Sequence, residues 1–476
     1  MPFICSRCGR VWWGGRWICG ICGGIIIHRP EIRPSRYEEL IDSKAGGIWR
    51  YGLLLPEIPQ PWRISLGEGG TALLKAGRLS LRMGIRDVYL KNETANPSGS
   101  FIDRGVAAEI SYAGSRGYKR IACFSRGNLG VSVAAYAAKT GFEAMVYAPP
   151  SIERGKLYLL LAYDAHVFFT ERMRRGEVER LRRDGYYIVE STSPYFLSGL
   201  KTLAYELALQ TAPQYVVFPV GEGGNLSMFW EGLKDLRDAG VSNMMPRLVA
   251  VQSEGCMPIV KAYNSGGKPV WKGPIRTIFA DIAVPNPPLG ELALQSLKES
   301  RGLAVAVSDR EILEATRDLA RMEGLLAEPA AASTVAALKK LRDEGLVGSD
   351  VSVVCVITGT GLKEPYLGGP IGRAARSIAA RARASSRIGV TKSRILEILG
   401  ERSLHGYGIR KALASKYGIK ISTASTYQHL AELADAGLVT YIPVKHNGRM
   451  RIIYELTSSG RQILQHPVGN PSRHTV

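Results

Sequence analysis

Apolar runs of strand length alternate along most of this chain with segments whose apolar residues recur three and four positions apart. The strand candidates are 121–124, 144–148, 166–169, 186–189, 215–219, 248–252 and 351–357. The helical candidates between and after them are 131–139, 200–209, 226–236 and 310–322. Strands interleaved with helices predict an α/β fold with parallel sheets covered on both faces. Such sheets place ligands at the carboxyl ends of their strands.

A glycine cluster follows the strand candidate 215–219 and precedes a helical segment. Gly221, Gly223 and Gly224 lead into Asn225, so backbone N–H groups and a helix N-terminus can converge there on a phosphate. An ordinary tight turn between a strand and a helix would use the same glycines. Glu222, within the loop, adds unfavourable negative charge unless its side chain points away.

Residues 96–105 read NPSGSFIDRG and resemble the cofactor loop of the threonine synthases, whose pattern is NPTGSFKDRG. Further stretches resemble the same family in the family's order: 66–73 (LGEGGTAL), 90–93 (LKNE), 125–130 (SRGNLG), 220–226 (VGEGGNL), 324–332 (GLLAEPAAA) and 358–365 (TGTGLKEP). The resemblance covers most of residues 1–366. It implies the fold type II architecture of pyridoxal-phosphate (PLP) enzymes, similar to the tryptophan synthase β subunit.

Ile102 stands where the family has the lysine that binds PLP covalently. Isoleucine has no nitrogen, so it can neither attach the aldehyde nor move protons at the substrate carbons. Lys91 and Lys201 are the other amines considered, and each lies in a segment similar to family segments that already carry a lysine. The sequence therefore predicts that this core is not catalytic.

The resemblance also implies positions for a cofactor and an anionic ligand. Asn128 would face the ring hydroxyl and Thr360 the pyridine nitrogen, although Asn128 could simply cap the following helix. Ser125, Arg126 and Thr71 would meet anionic groups. Arg126 and Leu129 fall in the turn that in the family holds small hydroxyl side chains. Leu129 removes a hydrogen-bond donor, whereas Arg126 brings donors suited to a carboxylate or phosphate, unless it points into solvent.

Four cysteines near the N-terminus have the spacing C-x2-C-x10-C-x2-C. Cys5, Cys8, Cys19 and Cys22 can supply four thiolates in a tetrahedron, which suits a structural zinc ion. A pair of disulfides is the alternative, and the scattered single positions of the remaining cysteines argue against it. A zinc ribbon also precedes some threonine synthases.

The C-terminal part is more basic than the rest. Residues 371–476 contain 17 Lys and Arg against 5 Asp and Glu, which is 12 of the chain's net charge of +20. An Arg/Ala-rich linker at 372–387 opens this part. Helical segments at 392–399, 408–414 and 423–436 are followed by strand candidates at 439–444 and 451–456, with Asn447-Gly448 as the hairpin turn.

Three helices and a hairpin form a winged helix-turn-helix, and the stretches 395–413, 422–439 and 448–460 resemble the PadR-type transcription regulators. Duplex DNA is the predicted partner. Its predicted contacts are Thr423, Ser425, Thr426, Gln428 and His429 on the third helix, and the basic residues Lys420, Lys445, Arg449 and Arg451. A dimerisation module with a solvated basic face is the alternative. Tyr427 and Leu430 are interpreted as core residues.

These patterns divide the chain into a zinc ribbon (1–30), a threonine synthase-like core (31–370), a linker (371–388), a winged helix-turn-helix (389–466) and a tail (467–476). No apolar stretch reaches the length of a membrane span, and the first residues do not resemble a secretion signal. The cytoplasm is therefore the expected location. A homodimer is expected separately, because two-fold dimers are typical of both the scaffold and the winged helix.

The resulting hypothesis is a transcription regulator whose non-catalytic core senses PLP held without a covalent bond, a PLP–amino acid adduct or a phosphorylated amino acid. The alternative is an active threonine synthase that converts O-phosphohomoserine to threonine and phosphate and carries a regulatory DNA-binding domain. A third possibility is that the core serves only as a dimerisation platform.

Overall fold

The computed structural model describes residues 2–13, 17–31, 36–363, 389–446 and 449–465. The chain divides into two compact units, residues 1–365 and 366–476. The predicted linker, the tail and the Asn447-Gly448 turn lie outside the described residues. The finer domain boundaries therefore stay predictions.

The first unit contains two sheets built mostly of parallel strands. The larger has the order Leu303–Val307, Arg247–Ser253, Tyr215–Pro219, Ser352–Ile357, Asp87–Asn92 and Leu73–Lys75, and only the last strand runs antiparallel to its neighbour. The smaller has the order His166–Phe169, Glu143–Ala148, Arg120–Phe124 and Tyr186–Ile188, with every pair parallel. All seven strand predictions are confirmed, as is the α/β fold class.

Helices cover these sheets. Their bounds are Gly77–Met83, Ile102–Ser115, Asn128–Thr140, Arg154–Ala162, Arg175–Arg183, Pro194–Gln210, Gly224–Asp238, Pro258–Ser265, Gly290–Glu299, Asp309–Asp318 and Pro329–Asp343. The four predicted helical segments are all present. The segment at 310–322 ends in a wider helical turn, Leu319–Glu323.

The larger sheet is buried on both faces because successive side chains of a strand point to opposite sides. Val216 and Val217 are neighbours in the central strand Tyr215–Pro219, and both are fully buried. Val216 packs in one apolar core with Leu203 and Leu233, whereas Val217 packs in another with Leu338. This two-sided burial explains why the strand reads as a continuous apolar run rather than an alternating one.

A three-stranded antiparallel sheet at the N-terminus carries the cysteines. Its strands are Val11–Trp12, Phe3–Cys5 and Ile26–His28, in that order. The Lys201 ammonium donates a hydrogen bond of 2.7 Å to the carbonyl oxygen of His28 and so joins this small sheet to helix Pro194–Gln210.

The second unit has the predicted winged helix-turn-helix elements around its own apolar core. Its helices are Val390–Glu401, Gly406–Tyr417, Thr423–Asp435 and Ser458–Gln465, and its hairpin strands are Val439–His446 and Arg449–Leu456. A short strand, Leu404–His405, pairs with the second hairpin strand. This short strand and the last helix were not predicted.

None of the helices in the described part of the chain combines the length and the apolar character that crossing a bilayer requires.

Candidate functional site

A cavity of about 360 Å³ opens where strands of both sheets end. Its lining includes Phe124 and Pro219, the last residues of two strands, and Thr358, which directly follows a third. This is the location predicted for ligands of a parallel α/β fold. The volume lies within the range of small-molecule sites.

Four helices begin at the wall of this cavity. These helices are Ile102–Ser115, Asn128–Thr140, Gly224–Asp238 and Pro329–Asp343. The cavity is lined by a residue at the start of each one: Ile102, Asn128, Gly224 and Glu328. A helix N-terminus carries partial positive charge and N–H groups without helical acceptors. The backbone therefore makes this cavity favourable for an anion.

Ile102 is the first residue of its helix, and its half-buried side chain packs against the apolar core beside Leu129. Both residues line the cavity. This part of the wall is therefore aliphatic, where the threonine synthase pattern has an amine and a hydroxyl.

The two lysines considered from the sequence lie away from the cavity. The Lys91 ammonium donates to Glu206 Oε1 at 2.5 Å and to the Thr71 carbonyl oxygen at 2.7 Å, and it is fully buried. Lys201 is equally buried and pairs with Asp235 at 2.8 Å. Neither belongs to the lining of the cavity.

Two other lysines, which sequence reasoning missed, lie directly behind the lining. Lys156 Nζ is 3.0 Å from Asp281 Oδ2, and Lys363 Nζ is 2.6 Å from Asn128 Oδ1. Both ammonium groups also approach Glu328 Oε1, at 3.7 Å and 3.4 Å. Lys363 belongs to the TGTGLKEP stretch, and this membership was the only feature of the sequence that could have pointed to it. No feature of the sequence pointed to Lys156.

The glycine loop has the geometry of an anion cradle. Gly223 has φ of 97°, a conformation that strongly favours glycine, and the helix begins at the next residue. Asn225 is buried at the cavity wall, and neither polar atom of its side chain has a hydrogen-bond partner among the described residues. A buried, unsatisfied amide is costly unless a ligand or water completes it. Glu222 also lines the cavity, and burial raises the pKa of its carboxyl, so the loop brings an acidic group to the same wall.

The other predicted ligand residues fall into two groups. Ser125, Arg126 and Asn128 line the cavity, where Asn128 Nδ2 donates to Glu328 Oε2 at 2.9 Å and Arg126 is exposed. Thr71 and Thr360 do not belong to the lining. The Thr71 hydroxyl donates to Glu93 in a buried ionic cluster, and the Thr360 hydroxyl accepts from the Leu362 N–H at 3.3 Å. Thr358, two residues earlier, lines the cavity instead.

The structure brings the four N-terminal cysteines together. The sulfur atoms of Cys5 and Cys22 are 3.3 Å apart, those of Cys8 and Cys19 are 3.9 Å apart, and all four lie within 4.8 Å of one another. Backbone N–H groups of Cys22 and Ile21 lower the pKa of the Cys19 thiol to about 6, which favours a thiolate. The cluster could hold a metal ion.

The structure shows which of the predicted DNA-contacting side chains on the third helix are exposed, and it corrects two interpretations there. Lys420, Thr423 and Gln428 are exposed, and Ser425 and His429 are half-buried. Thr426 is wrong as a base contact, because its side chain is fully buried and donates to the Ser422 carbonyl oxygen at 2.9 Å. Tyr427 is wrong as a core residue, because 44% of it is exposed, whereas Leu430 is buried as predicted.

The basic residues of the hairpin are placed by the backbone register alone. Val444 lies opposite Arg451, Lys445 opposite Met450, and His446 opposite Arg449. These three basic positions, Lys445, Arg449 and Arg451, therefore lie near the tip of the wing.

Comparison with known proteins identifies both parts of the chain. Residues 64–359 match the model of the family described as "Pyridoxal-phosphate dependent enzyme". The chain belongs to this family. Residues 395–466 match the "Transcriptional regulator PadR-like family", so the C-terminal part is PadR-like.

Threonine synthases are among the proteins that this chain resembles in sequence. The chain is 37% identical to that of Methanocaldococcus jannaschii over 76% of this chain and 92% of the relative, and 35% identical to that of Methanosarcina acetivorans over the same shares. Among solved structures, maize serine racemase aligns with a TM-score of 0.55 at 19% identity, over 65% of this chain and 93% of that one. Tomato threonine deaminase aligns with a TM-score of 0.54 at 19% identity, over 70% and 94%. These last two likenesses support the fold alone.

The family implies PLP binding, and the cavity fits part of that molecule. The unsatisfied Asn225 amide and the start of helix Gly224–Asp238 suit a phosphate group. The aldehyde does not fit in the family manner, because Ile102 supplies no amine at the cavity wall. The residues therefore fit a phosphorylated ligand held without a covalent bond at position 102.

The cysteine cluster fits a zinc ion. Tetrahedral coordination with sulfur at about 2.3 Å separates the sulfurs by roughly 3.8 Å, which agrees with the observed spacing. Four thiolates leave no open coordination position, so such an ion would be structural.

We expect purified protein to contain one equivalent of zinc. Removal by a chelator should melt the small sheet before the core, because a structural zinc site supplies much of the folding free energy of a small domain. Elemental analysis and the fluorescence of Trp12 and Trp17 would measure both effects. Added zinc should restore the signal, and added magnesium should not. A metal-free protein with an unchanged melting curve would contradict the expectation.

Proposed function

We propose that this protein is a DNA-binding transcription regulator whose threonine synthase-like core binds a small phosphorylated ligand without catalysing a reaction on it. The observation that carries the proposal is Ile102, an aliphatic side chain at the wall of the cavity, in the position where the threonine synthase pattern has its lysine. The PadR-like C-terminal part supplies the DNA-binding role.

The ligand role rests on the wall of the cavity. Bound PLP supplies an electron sink for reactions of amino acids, but a protein amine must then move the protons. Ile102 and Leu129 cannot move a proton, and Lys156 and Lys363 are both held near the Glu328 carboxylate. The role that remains for this cavity is to bind a ligand. Asn225 and the glycine loop would bind its phosphate group, and Arg126 would bind a second anionic group. PLP, a PLP–amino acid adduct and a phosphorylated amino acid all have this chemistry.

The DNA role rests on the exposed start of helix Thr423–Asp435 and on the basic residues around it. Thr423, Gln428 and Lys420 are exposed, and the basic wing positions lie near the hairpin tip. Short polar side chains on such a helix can read base edges in a major groove. A homodimer would present two such helices to a symmetric site.

Ligand binding can be tested by the melting temperature of the full chain with PLP, O-phosphohomoserine or inorganic phosphate. We expect at least one phosphorylated amino-acid-like compound to raise it, and Asn225→Ala to reduce that rise, because the amide loses its contact with the ligand. Asn264→Ala removes an exposed amide elsewhere and is the matched control. If no compound shifts the melting temperature, the core is only a platform, and the sensing role fails.

DNA binding can be tested by selecting bound fragments from a pool of random duplexes. We expect a recurrent, two-fold symmetric sequence, and we expect Gln428→Ala to relax its preference while Arg449→Ala weakens binding to all sequences. A change in affinity when the ligand is added would show that the two parts are coupled. Identical binding by both variants and the parent protein would contradict the assignment of helix and wing.

An active PLP enzyme is the second candidate, and one observation favours it. Lys363 Nζ lies 2.6 Å from Asn128 Oδ1, so an amine is present beside the cavity even though residue 102 has none. Borohydride treatment with PLP, followed by peptide mapping, decides between the two. Label on Lys156 or Lys363, lost in the corresponding arginine variant, would favour the enzyme; no labelled lysine is expected for the regulator.

A further inference from the structure

The exposed face of helix Thr423–Asp435 differs from the one that the sequence pattern suggested. Thr423, Ala424, Tyr427 and Gln428 are exposed and recur at helical spacing, whereas Thr426 is fully buried. Tyr427 therefore belongs to the exposed side of the helix, which is the side proposed to face DNA.

Tyr427 also contacts the preceding helix of the helix-turn-helix. A Cβ atom added to Gly406, the first residue of helix Gly406–Tyr417, would lie 2.7 Å from Tyr427 Cζ and 2.9 Å from its hydroxyl oxygen. Only a residue without a side chain allows the phenol ring to lie this close to the backbone. The hydroxyl of Tyr427 therefore lies at the N-terminus of helix Gly406–Tyr417, the first helix of the helix-turn-helix.

The same start of the first helix presents an aromatic–arginine pair. Tyr407 is 59% exposed, and the Arg410 guanidinium lies 5.1 Å from the centre of its ring, three residues further along the same helix face. Among the described residues, no carboxylate lies within ion-pair distance of Arg410, and its Nε has no hydrogen-bond partner.

A second arginine–tyrosine pair in this unit has a carboxylate that neutralises the arginine charge. Arg394 lies 4.8 Å from the centre of the Tyr417 ring, and its Nη1 is 2.7 Å from Glu397 Oε2. Arg394 thus has an internal anion, whereas Arg410 has none in the described part of this unit. The Arg410 charge is therefore available to an external anion.

We propose that Tyr407, Arg410 and Tyr427 form a clamp for a backbone phosphate of duplex DNA, beside the base-reading face of helix Thr423–Asp435. A guanidinium can donate two parallel hydrogen bonds to a phosphate, and a phenol can donate one more. In helix-turn-helix proteins the first helix crosses the DNA backbone while the second enters the groove. The clamp rests on the proposed DNA-binding function and adds the contact that fixes the position of the helix on the duplex.

The charge of the clamp is tested by the salt dependence of binding. Full-length protein is titrated onto a short mixed-sequence duplex over a series of salt concentrations, with fluorescence anisotropy as the readout. Each phosphate contact that is lost lowers the slope of log K against log salt by about 0.9. We expect Arg410→Gln to lower the slope by about one contact, and Arg394→Gln, which removes the same charge from an internally paired site, to leave it unchanged.

The hydroxyl of the clamp is tested by two variants of different design. Tyr427→Phe removes only the oxygen, and Gly406→Ala displaces the ring with an added methyl group. Both should weaken binding several-fold on every sequence, without changing the preferred sequence, and Tyr417→Phe should bind as the parent protein does. Circular dichroism melting curves confirm that each variant is folded.

The outcomes separate this proposal from the one on which it rests. If the parent protein binds no duplex at low salt, the DNA-binding function itself fails, and the clamp fails with it. If the parent binds but Arg410→Gln and Arg394→Gln have equal slopes, the clamp alone is overturned. An altered sequence preference in Tyr427→Phe would also overturn it, since that result would make Tyr427 a base-reading residue.

Discussion

Arg104→Met should destabilise the first unit by about 3–5 kcal/mol, the range found when one partner of a buried ion pair is removed. The guanidinium of Arg104 is fully buried and pairs with Glu93 at 2.7 Å and with Glu206 at 2.9 Å. Lys91 pairs with Glu206 from the other side, so two cations and two carboxylates balance. Without Arg104, one buried carboxylate charge is left uncompensated. Urea unfolding followed by circular dichroism would measure the loss.

The matched control is a solvent-exposed pair of the same kind. Arg175 lies 3.0 Å from Glu179, with 94% of the arginine side chain exposed. Arg175→Met should change the stability by less than about 0.5 kcal/mol, because exposed ion pairs contribute little. Arg104→Lys should fall between the two, since it keeps the charge but loses the forked geometry. Equal stabilities of the two methionine variants would contradict the role given to the cluster.

The effect of Arg104→Met should also depend on pH. Burial alone would raise the pKa of Glu206, but Arg104 and Lys91 outweigh it and hold that pKa at about 2. A carboxylate whose pKa is depressed on folding contributes stability above its unfolded value, near 4.3, and that contribution is lost as the pH falls toward 2. The difference between parent and variant should therefore be largest above about pH 5 and shrink on acidification.

Ile102→Lys should create a site of covalent PLP attachment at position 102. Residue 102 opens a helix at the cavity wall, and its apolar surroundings favour the neutral amine, which is the nucleophilic form. We expect nearly complete labelling of residue 102 after borohydride reduction, and no label at residue 102 in the parent protein. Peptide mass spectrometry is the readout, so the result does not depend on enzyme activity.

Leu129→Lys is the control for this gain of attachment. Leu129 also lines the cavity and is half-buried, so the variant adds the same amine to the same space from a different wall. Labelling at position 102 but not at position 129 would show that the cavity orients the cofactor as the family does. Labelling at both positions would mean that any amine in the cavity reacts, and none at either would contradict PLP binding.

The order of strands and helices follows from the sequence because apolar periodicity is a local signal. The predicted strand at 215–219 and helix at 226–236 differ from the observed elements by a few residues at most. Leu303–Val307 was missed although it is as long as Tyr215–Pro219, since two of its five residues are alanines, which are depleted in strands. The glycine loop and the cysteine cluster were also predictable, because each depends on residues close in sequence.

The buried partners within the site could not be predicted in this way. Lys156 meets Asp281 and Glu328 from positions more than a hundred residues away, and no local pattern encodes that contact. Thr426 and Tyr427 were misassigned for a related reason. Which face of an amphipathic helix is covered depends on the neighbouring helix, and here Gly406 leaves room for the tyrosine ring at the surface.

The four helix starts around the cavity have an evolutionary consequence. In a protein with the family's pattern, one codon change at the lysine is enough to remove covalent attachment of PLP, because that attachment depends on one side chain. The partial positive charge around the cavity comes from the main chain of four helices, so the loss of one side chain leaves that charge in place. An enzyme of this fold that loses its lysine would therefore keep an anion-binding pocket, which selection can then connect to another domain.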